Sequence, residues 1–140
     1  MGASLDMSGH SQCLRPLRIL LVEDDAGIRG WLNGLLNTLG HRVHIAQNMR
    51  EALDLAVSEN QLFDLLLSDI GLPDGDGWEL LRRLNSAGCR PRRAIALSGR
   101  GTAKDLERSQ AAGFAQHLTK PLELAVLEAI LREAAEEAPQ

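Results

Sequence analysis

From Arg18 onward, short apolar runs alternate with longer amphipathic stretches. Ile19, Leu20, Leu21 and Val22 form an unbroken apolar run, the pattern of a strand buried on both faces. Ile28, Leu32, Leu35, Leu36 and Leu39 follow at helical spacing, with Gly40 placed where a helix ends. Residues 43–46 alternate apolar and polar, as a half-exposed strand does. Ala52, Leu53, Ala56 and Val57 mark a second helix face, residues 63–67 a third strand, and Trp78, Leu80, Leu81 and Leu84 the next helix. Residues 94–97 predict a fourth strand. Residues 102–112 are helix-like but have a thin apolar face. Residues 115–118 make a short fifth strand, and Leu124, Leu127, Ile130, Leu131 and Ala134 a last helix.

Five strand–helix repeats predict an α/β fold, a doubly wound five-stranded parallel sheet with helices on both faces. The first, third and fourth strands are apolar throughout and belong in the centre. The second carries His44 and the fifth Gln116 and His117, so these suit the edges. The order 2-1-3-4-5, the flavodoxin-like one, satisfies both conditions. The folded domain is expected over residues 17–137. Residues 1–16, rich in Ser and Gly and without the apolar core of a signal peptide, are expected to be a flexible lead-in.

Composition narrows the function. A chain of 140 residues fits one domain. Aromatics make up 3% with no Tyr, which disfavours a base-stacking surface. The net charge is −4 and no Lys/Arg-rich run stands out, so direct nucleic-acid binding is not expected. Arg82 with Arg83, and Arg90 with Arg92 and Arg93, read as solvated basic spots. Cys13 and Cys89 form no C-x-x-C pair, which suits a reducing compartment, the cytoplasm. No apolar stretch approaches the ~20 residues of a membrane span.

The candidate chemistry sits at strand ends. In such a sheet ligands bind beyond the carboxyl ends of the strands, where the winding reverses. Glu23, Asp24 and Asp25 follow the first strand, Asp69 the third, Ser98 the fourth and Lys120 the fifth. Carboxylates gathered within a few ångströms repel one another, so a cation must join them or one must be protonated. Oxygen-only ligands favour a hard cation such as Mg²⁺. Mg²⁺ and Lys120 together balance Glu23, Asp24 and Asp69, so a dianionic phosphoryl group becomes tolerable. A carboxylate that is free to react can accept that group as an acyl phosphate. The Ser98 hydroxyl can donate to a phosphoryl oxygen.

Other motifs have blander readings. Asp25 suits a helix N-cap, and Asp76 a turn and helix cap rather than part of a calcium loop. His41 and His44, three apart along a strand, point to opposite faces and do not share a metal. Trp31 and Trp78 read as packing or helix-surface residues.

Taken together, these residues resemble the response-regulator receiver family of two-component and phosphorelay signalling. The resemblance covers residues 18–135. Residues 19–25 look like the family's first strand and acidic pair, with the pair at Glu23 and Asp24. Residues 67–77 look like the phosphoacceptor segment, which makes Asp69 the acceptor and the Gly71 backbone carbonyl a further Mg²⁺ ligand. Ser98 matches the switch hydroxyl, and Lys120 with Pro121 the lysine motif, whose Lys-Pro bond is usually cis. The family's rotating Tyr or Phe is here His117, which is expected to swing inward when Ser98 moves or to act as a plain edge-strand residue. Similar histidines occur in receivers of hybrid histidine kinases. Gly71 and Arg100 occupy positions that tune acyl-phosphate hydrolysis in the family.

The resemblance implies a phosphoacceptor fed by a histidine kinase or a histidine phosphotransfer protein. It would signal through an unnamed downstream protein, with at most slow self-catalysed phosphorylation and dephosphorylation. The first helix would dock the phosphodonor, and the fourth and last helices would form the output face. Two alternatives stay open. One is a degenerate receiver that only binds a partner. The other is a Mg²⁺-dependent enzyme, although Val22, Glu23 and Asp24 lack the D-x-D of haloacid-dehalogenase-type phosphatases, and Asp69, Ile70 and Gly71 lack that of Toprim nucleases.

Overall fold

A computed structural model describes residues 15–59, 62–99 and 101–137. The lead-in falls outside these residues except for Arg15 and Pro16, as do Cys13 and Arg100. The chain builds β1 (Arg18–Val22), α1 (Ala26–Thr38), β2 (Arg42–Ala46), α2 (Met49–Ser58) and β3 (Leu65–Asp69). A ribbon of two short antiparallel strands follows, Gly71–Leu72 and Gly75–Asp76. Then come α3 (Gly77–Ser86), β4 (Arg93–Ser98), α4 (Ala103–Ala112), β5 (Gln116–Thr119) and α5 (Leu124–Glu137). The strands form one parallel sheet in the order β2-β1-β3-β4-β5, as the run of apolar and polar strands predicts.

The period of two along each strand divides the core between the two faces. Leu20, Val22, Leu66, Ala94 and Ala96 face α2 and α3, where Ala52, Ala56, Leu80, Leu81 and Leu84 meet them. Ile19, Leu21, Leu65, Leu67, Ile95 and Leu97 face α1 and α5, against Leu32, Leu36, Leu127, Ile130 and Leu131. The edges differ from the centre as expected: β2 buries only Ala46, and β5 buries none of its residues.

Short polar residues start the helices. Asp25 accepts from the Ile28 amide at 2.9 Å and Asp76 from the Glu79 amide at 2.7 Å, the two caps read from sequence. Asn48 and Thr102 cap α2 and α4 in the same way. Gly40 follows the end of α1 with a φ of 94°, where a side chain would be strained.

The third strand departs from its expected bounds. It covers Leu65–Asp69 rather than residues 63–67. Phe63 is buried for a different reason: its ring lies edge-on to His44 and beneath the Arg18 guanidinium, before the ladder begins. Apolarity marks burial, while pairing with Leu97 carries the strand on to the polar Asp69.

His41 and His44 meet different partners. His41 Nδ1 accepts from the Leu17 amide at 3.0 Å, and His44 lies 3.6 Å from Glu59. The basic spots pair locally, Arg83 with Glu79, Arg92 with Asp64 and Arg93 with Glu133 and Glu137. Among the described residues no helix is long and apolar enough to cross a membrane.

Candidate functional site

The parallel sheet delivers the ends of β1, β3, β4 and β5 to one rim, and the predicted residues meet there. Carboxylate oxygens of Glu23, Asp24 and Asp69 lie within 4.8 Å of one another. Glu23 is fully buried, Asp69 half-buried and Asp24 exposed. Lys120 Nζ bridges two of them, donating to Glu23 Oε1 and to Asp69 Oδ2, each at 2.8 Å. The remaining Asp69 oxygen, Oδ1, accepts from the Gly71 amide at 3.1 Å. Glu23 Oε2 accepts from the Asp25 amide at 3.2 Å.

The electrostatics follow from burial and crowding. Burial pushes the Glu23 carboxyl above its ordinary range; hydrogen bonds from Lys120 and Asp25 oppose this, and the Asp69 charge adds to it. Burial alone would lower the Lys120 ammonium, but its bonds to Asp69 and Glu23 reverse that and leave it raised. The cluster therefore offers oxygen ligands and excess negative charge at its exposed side, the donor chemistry that a hard divalent cation takes.

Backbone bonds fix the site loops to the sheet. Ile70 N donates to Leu97 O at 2.9 Å, and Lys120 N to Ser98 O at 2.7 Å. Gly77 N returns to Ile70 O at 2.8 Å, and a Cβ at Gly77 would lie 2.7 Å from the Asp69 carbonyl oxygen. The chain can pass this close beneath Asp69 only with glycine there. The Lys120–Pro121 bond is cis.

Ser98 ends β4 at the same rim and is 8% exposed. His117 does not join the acidic cluster. It pairs in register with Ala96 and turns toward α4, where Nδ1 lies 2.9 Å from Ser109 Oγ. That hydroxyl also accepts from Trp78 Nε1 at 2.9 Å. His117 Nε2 is buried with no hydrogen-bond partner among the described residues. Trp78 thus packs and bonds, while Trp31 is 49% exposed on α1 and shares an open hollow with Lys120, Pro121 and Leu122.

Sequence reading missed Arg29 and Ser109. Arg29 donates from α1 to the Glu23 and Asp24 carbonyls at 2.9 and 3.2 Å and so steadies the acidic loop. Its signal was present: a cation in a helix's first turn opposes the dipole and needs a local reason. Ser109 carried no comparable signal, because its partners arise only from folding.

Residues 19–132 match the family described as response regulator receiver domain. An uncharacterized 14.6 kDa protein of Leptolyngbya boryana is 37% identical over 115 residues, 80% of this chain and 85% of that one. KdpE, the KDP operon transcriptional regulatory protein of Escherichia coli (strain K12), is 37% identical over 116 residues. These are 83% of this chain but 50% of KdpE, so the chain spans about half of that relative. Among solved structures, the non-phosphorylated HemR receiver domain from Leptospira biflexa superposes with a TM-score of 0.77 at 29% identity, covering 90% of this chain and 98% of that one. The chain belongs to the response regulator receiver family, the phosphoacceptor domains of two-component signalling, which interact with histidine kinases and act as regulators rather than as turnover enzymes.

Proposed function

We propose that Asp69 is the residue that accepts the phosphoryl group, and that residues 17–137 form the working domain. The observation that carries this reading is the Asp69 carboxylate at the end of a central strand, bonded to Lys120 and beside Glu23 and Asp24. A carboxylate oxygen of Asp69 attacks phosphorus, the bond from phosphorus to the donor's imidazole nitrogen breaks, and the leaving imidazole takes a proton. Glu23, Asp24, Asp69 and the Gly71 carbonyl would hold Mg²⁺. When bound, Mg²⁺ neutralises negative charge on the transferring group.

The chain's own residues do the rest. Lys120, already oriented by two carboxylates, offers its ammonium to a phosphoryl oxygen once Asp69 carries the acyl phosphate. Ser98 donates its hydroxyl to another. His117 then reports the change toward α4, through its contact with Ser109. The phosphodonor, a histidine kinase or histidine phosphotransfer protein in the cytoplasm, docks on α1. There Trp31 and Ile28 line a hollow of about 590 Å³ that reaches Lys120. The signal leaves through a protein contact on α4 and α5. Self-catalysed loading and hydrolysis are slow.

Intact mass after incubation with acetyl phosphate tests the acceptor. The expected result is one phosphoryl group gained with Mg²⁺, none without it, and none in Asp69→Asn. No gain in the wild type, with BeF₃⁻ also failing to bind, would instead favour a receiver that only binds a partner.

A further inference from the structure

Strand β2 lends no charged group to the site, yet the corner where it turns into α2 touches both halves of it. On one side the Glu23 amide donates to Ala46 O at 3.0 Å, which ties the acidic loop to the end of β2. On the other, Asp74 in the turn of the ribbon reaches the first turn of α2. Its Oδ1 accepts from the Met49 amide at 2.8 Å and its Oδ2 from the Arg50 amide at 3.0 Å. Asn48, the cap of α2, takes the Glu51 amide instead, at 2.8 Å. Both carboxylate oxygens of Asp74 are therefore committed to another element's backbone.

The physical chemistry favours this junction. A helix N-terminus has unpaired amides and a positive dipole end, so a carboxylate there is stabilised. The Met49 and Arg50 amides hold the Asp74 carboxyl below its usual range. Packing adds to the bonds, since a Cβ on Gly75 would lie 2.8 Å from Met49 Cε. The ribbon pairs Gly71 with Asp76 and Leu72 with Gly75. Its near end is tied to Asp69 through the Gly71 amide, and its far end to α2 through Asp74.

We infer that Asp74 is a positioning residue for the metal site, clamping the ribbon that carries Gly71 onto the same β2–α2 corner that holds Glu23. The inference rests on the proposed assignment of Glu23, Asp24, Asp69 and Gly71 as Mg²⁺ ligands. Asp74 is not one of these ligands, and both of its carboxylate oxygens accept backbone amides. Without it the ribbon loses its far anchor, and part of the Mg²⁺ binding free energy goes into ordering Gly71.

The test is the Mg²⁺ dissociation constant of the full chain by titration calorimetry, with thermal midpoints in metal-free buffer. The variants are Asp74→Ala, Asp74→Asn and Asn48→Ala. Asn48→Ala weakens the same helix end without touching the ribbon, so it reads out a merely structural role. The expected result is a Mg²⁺ affinity about 10-fold weaker in Asp74→Ala, as outer-shell changes typically give. Asp74→Asn should lose less, because its one carbonyl oxygen still accepts an amide. Asn48→Ala should lower the midpoint and keep the wild-type affinity. Unchanged affinity in Asp74→Ala overturns the inference. So does equal weakening in Asn48→Ala, which would mean that any loosening of α2 suffices. Equal weakening in the two Asp74 variants would assign the effect to lost charge rather than position, and overturns it too. A wild-type chain that binds no Mg²⁺ overturns the metal-site reading and this inference with it.

Discussion

Helices α3 and α4 lie side by side, each ten residues long, and are held in opposite ways. α3 buries Gly77, Leu80, Leu81 and Leu84; α4 buries Ser109. A fully buried leucine contributes roughly 1.5–3 kcal/mol, whereas a typical net hydrogen bond contributes about 0.5–1.5 kcal/mol. α3 is thus anchored by apolar surface. α4 hangs on the Ser109 hydroxyl, shared with Trp78 and His117, and on Arg108 lying 4.1 Å over the Trp78 ring. α3 begins at Asp76 and Gly77, directly beneath Asp69. α4, with less apolar burial, can shift at a smaller cost, and a ligand shifts such an equilibrium only by its differential free energy for the two positions.

The largest test of this contrast is Leu80→Ala against Leu106→Ala. Leu80 is fully buried, and its truncation should cost about 2–5 kcal/mol in urea unfolding. Leu106 is 41% exposed on α4, and its loss should stay within about 0.5 kcal/mol. Similar costs at both sites would remove the distinction.

A middle-sized effect is expected for Ser109→Ala, which strands the Trp78 indole N–H and the His117 ring nitrogen. Leaving a buried donor unpaired costs about 1–3 kcal/mol. Amide exchange should quicken across α4 while α3 keeps its protection. Exchange rising equally in both helices would show that they open as one unit.

The smallest effect lies away from both helices, in the turn from α1 to β2, at His41. Burial lowers its pKa below 6.5, so the folded state excludes a proton that the unfolded chain binds. Stability is therefore full above about pH 6.5 and falls as the pH drops below it. Between pH 7.5 and 5.5 the wild type should lose more stability than His41→Gln, by up to about 1 kcal/mol. Gln can still accept from the Leu17 amide. Equal losses would clear His41 of any part in acid sensitivity.

What the sequence made legible, and what it did not, divides along a physical line. Glu23, Asp24, Asp69, Ser98 and Lys120 could be placed at one rim from sequence because strand ends of a doubly wound sheet converge wherever the chain puts them. Central and edge strands were separable because two-sided burial leaves only apolar residues at 19–22 of β1 and admits His44 in β2. Asp74 carries no signal of its own in the sequence, since nothing local says that its carboxylate meets amides 24 and 25 residues away. Phe63 misled the strand bounds because a buried ring outside the ladder looks the same as one within it. The thin face of α4 was visible, but not that a single hydroxyl would fill the gap.

The bond from Trp78 to Ser109 also gives the protein an optical reporter. With no Tyr and two Trp, near-ultraviolet emission comes from Trp31 beside Lys120 and Trp78 at the α3–α4 seam. An indole that loses a hydrogen-bond acceptor and a stacked guanidinium changes its emission. Trp31→Phe would leave the seam as the sole source of tryptophan emission, so the arrival of a phosphoryl group at the acidic cluster could be timed at the α3–α4 contact without any label.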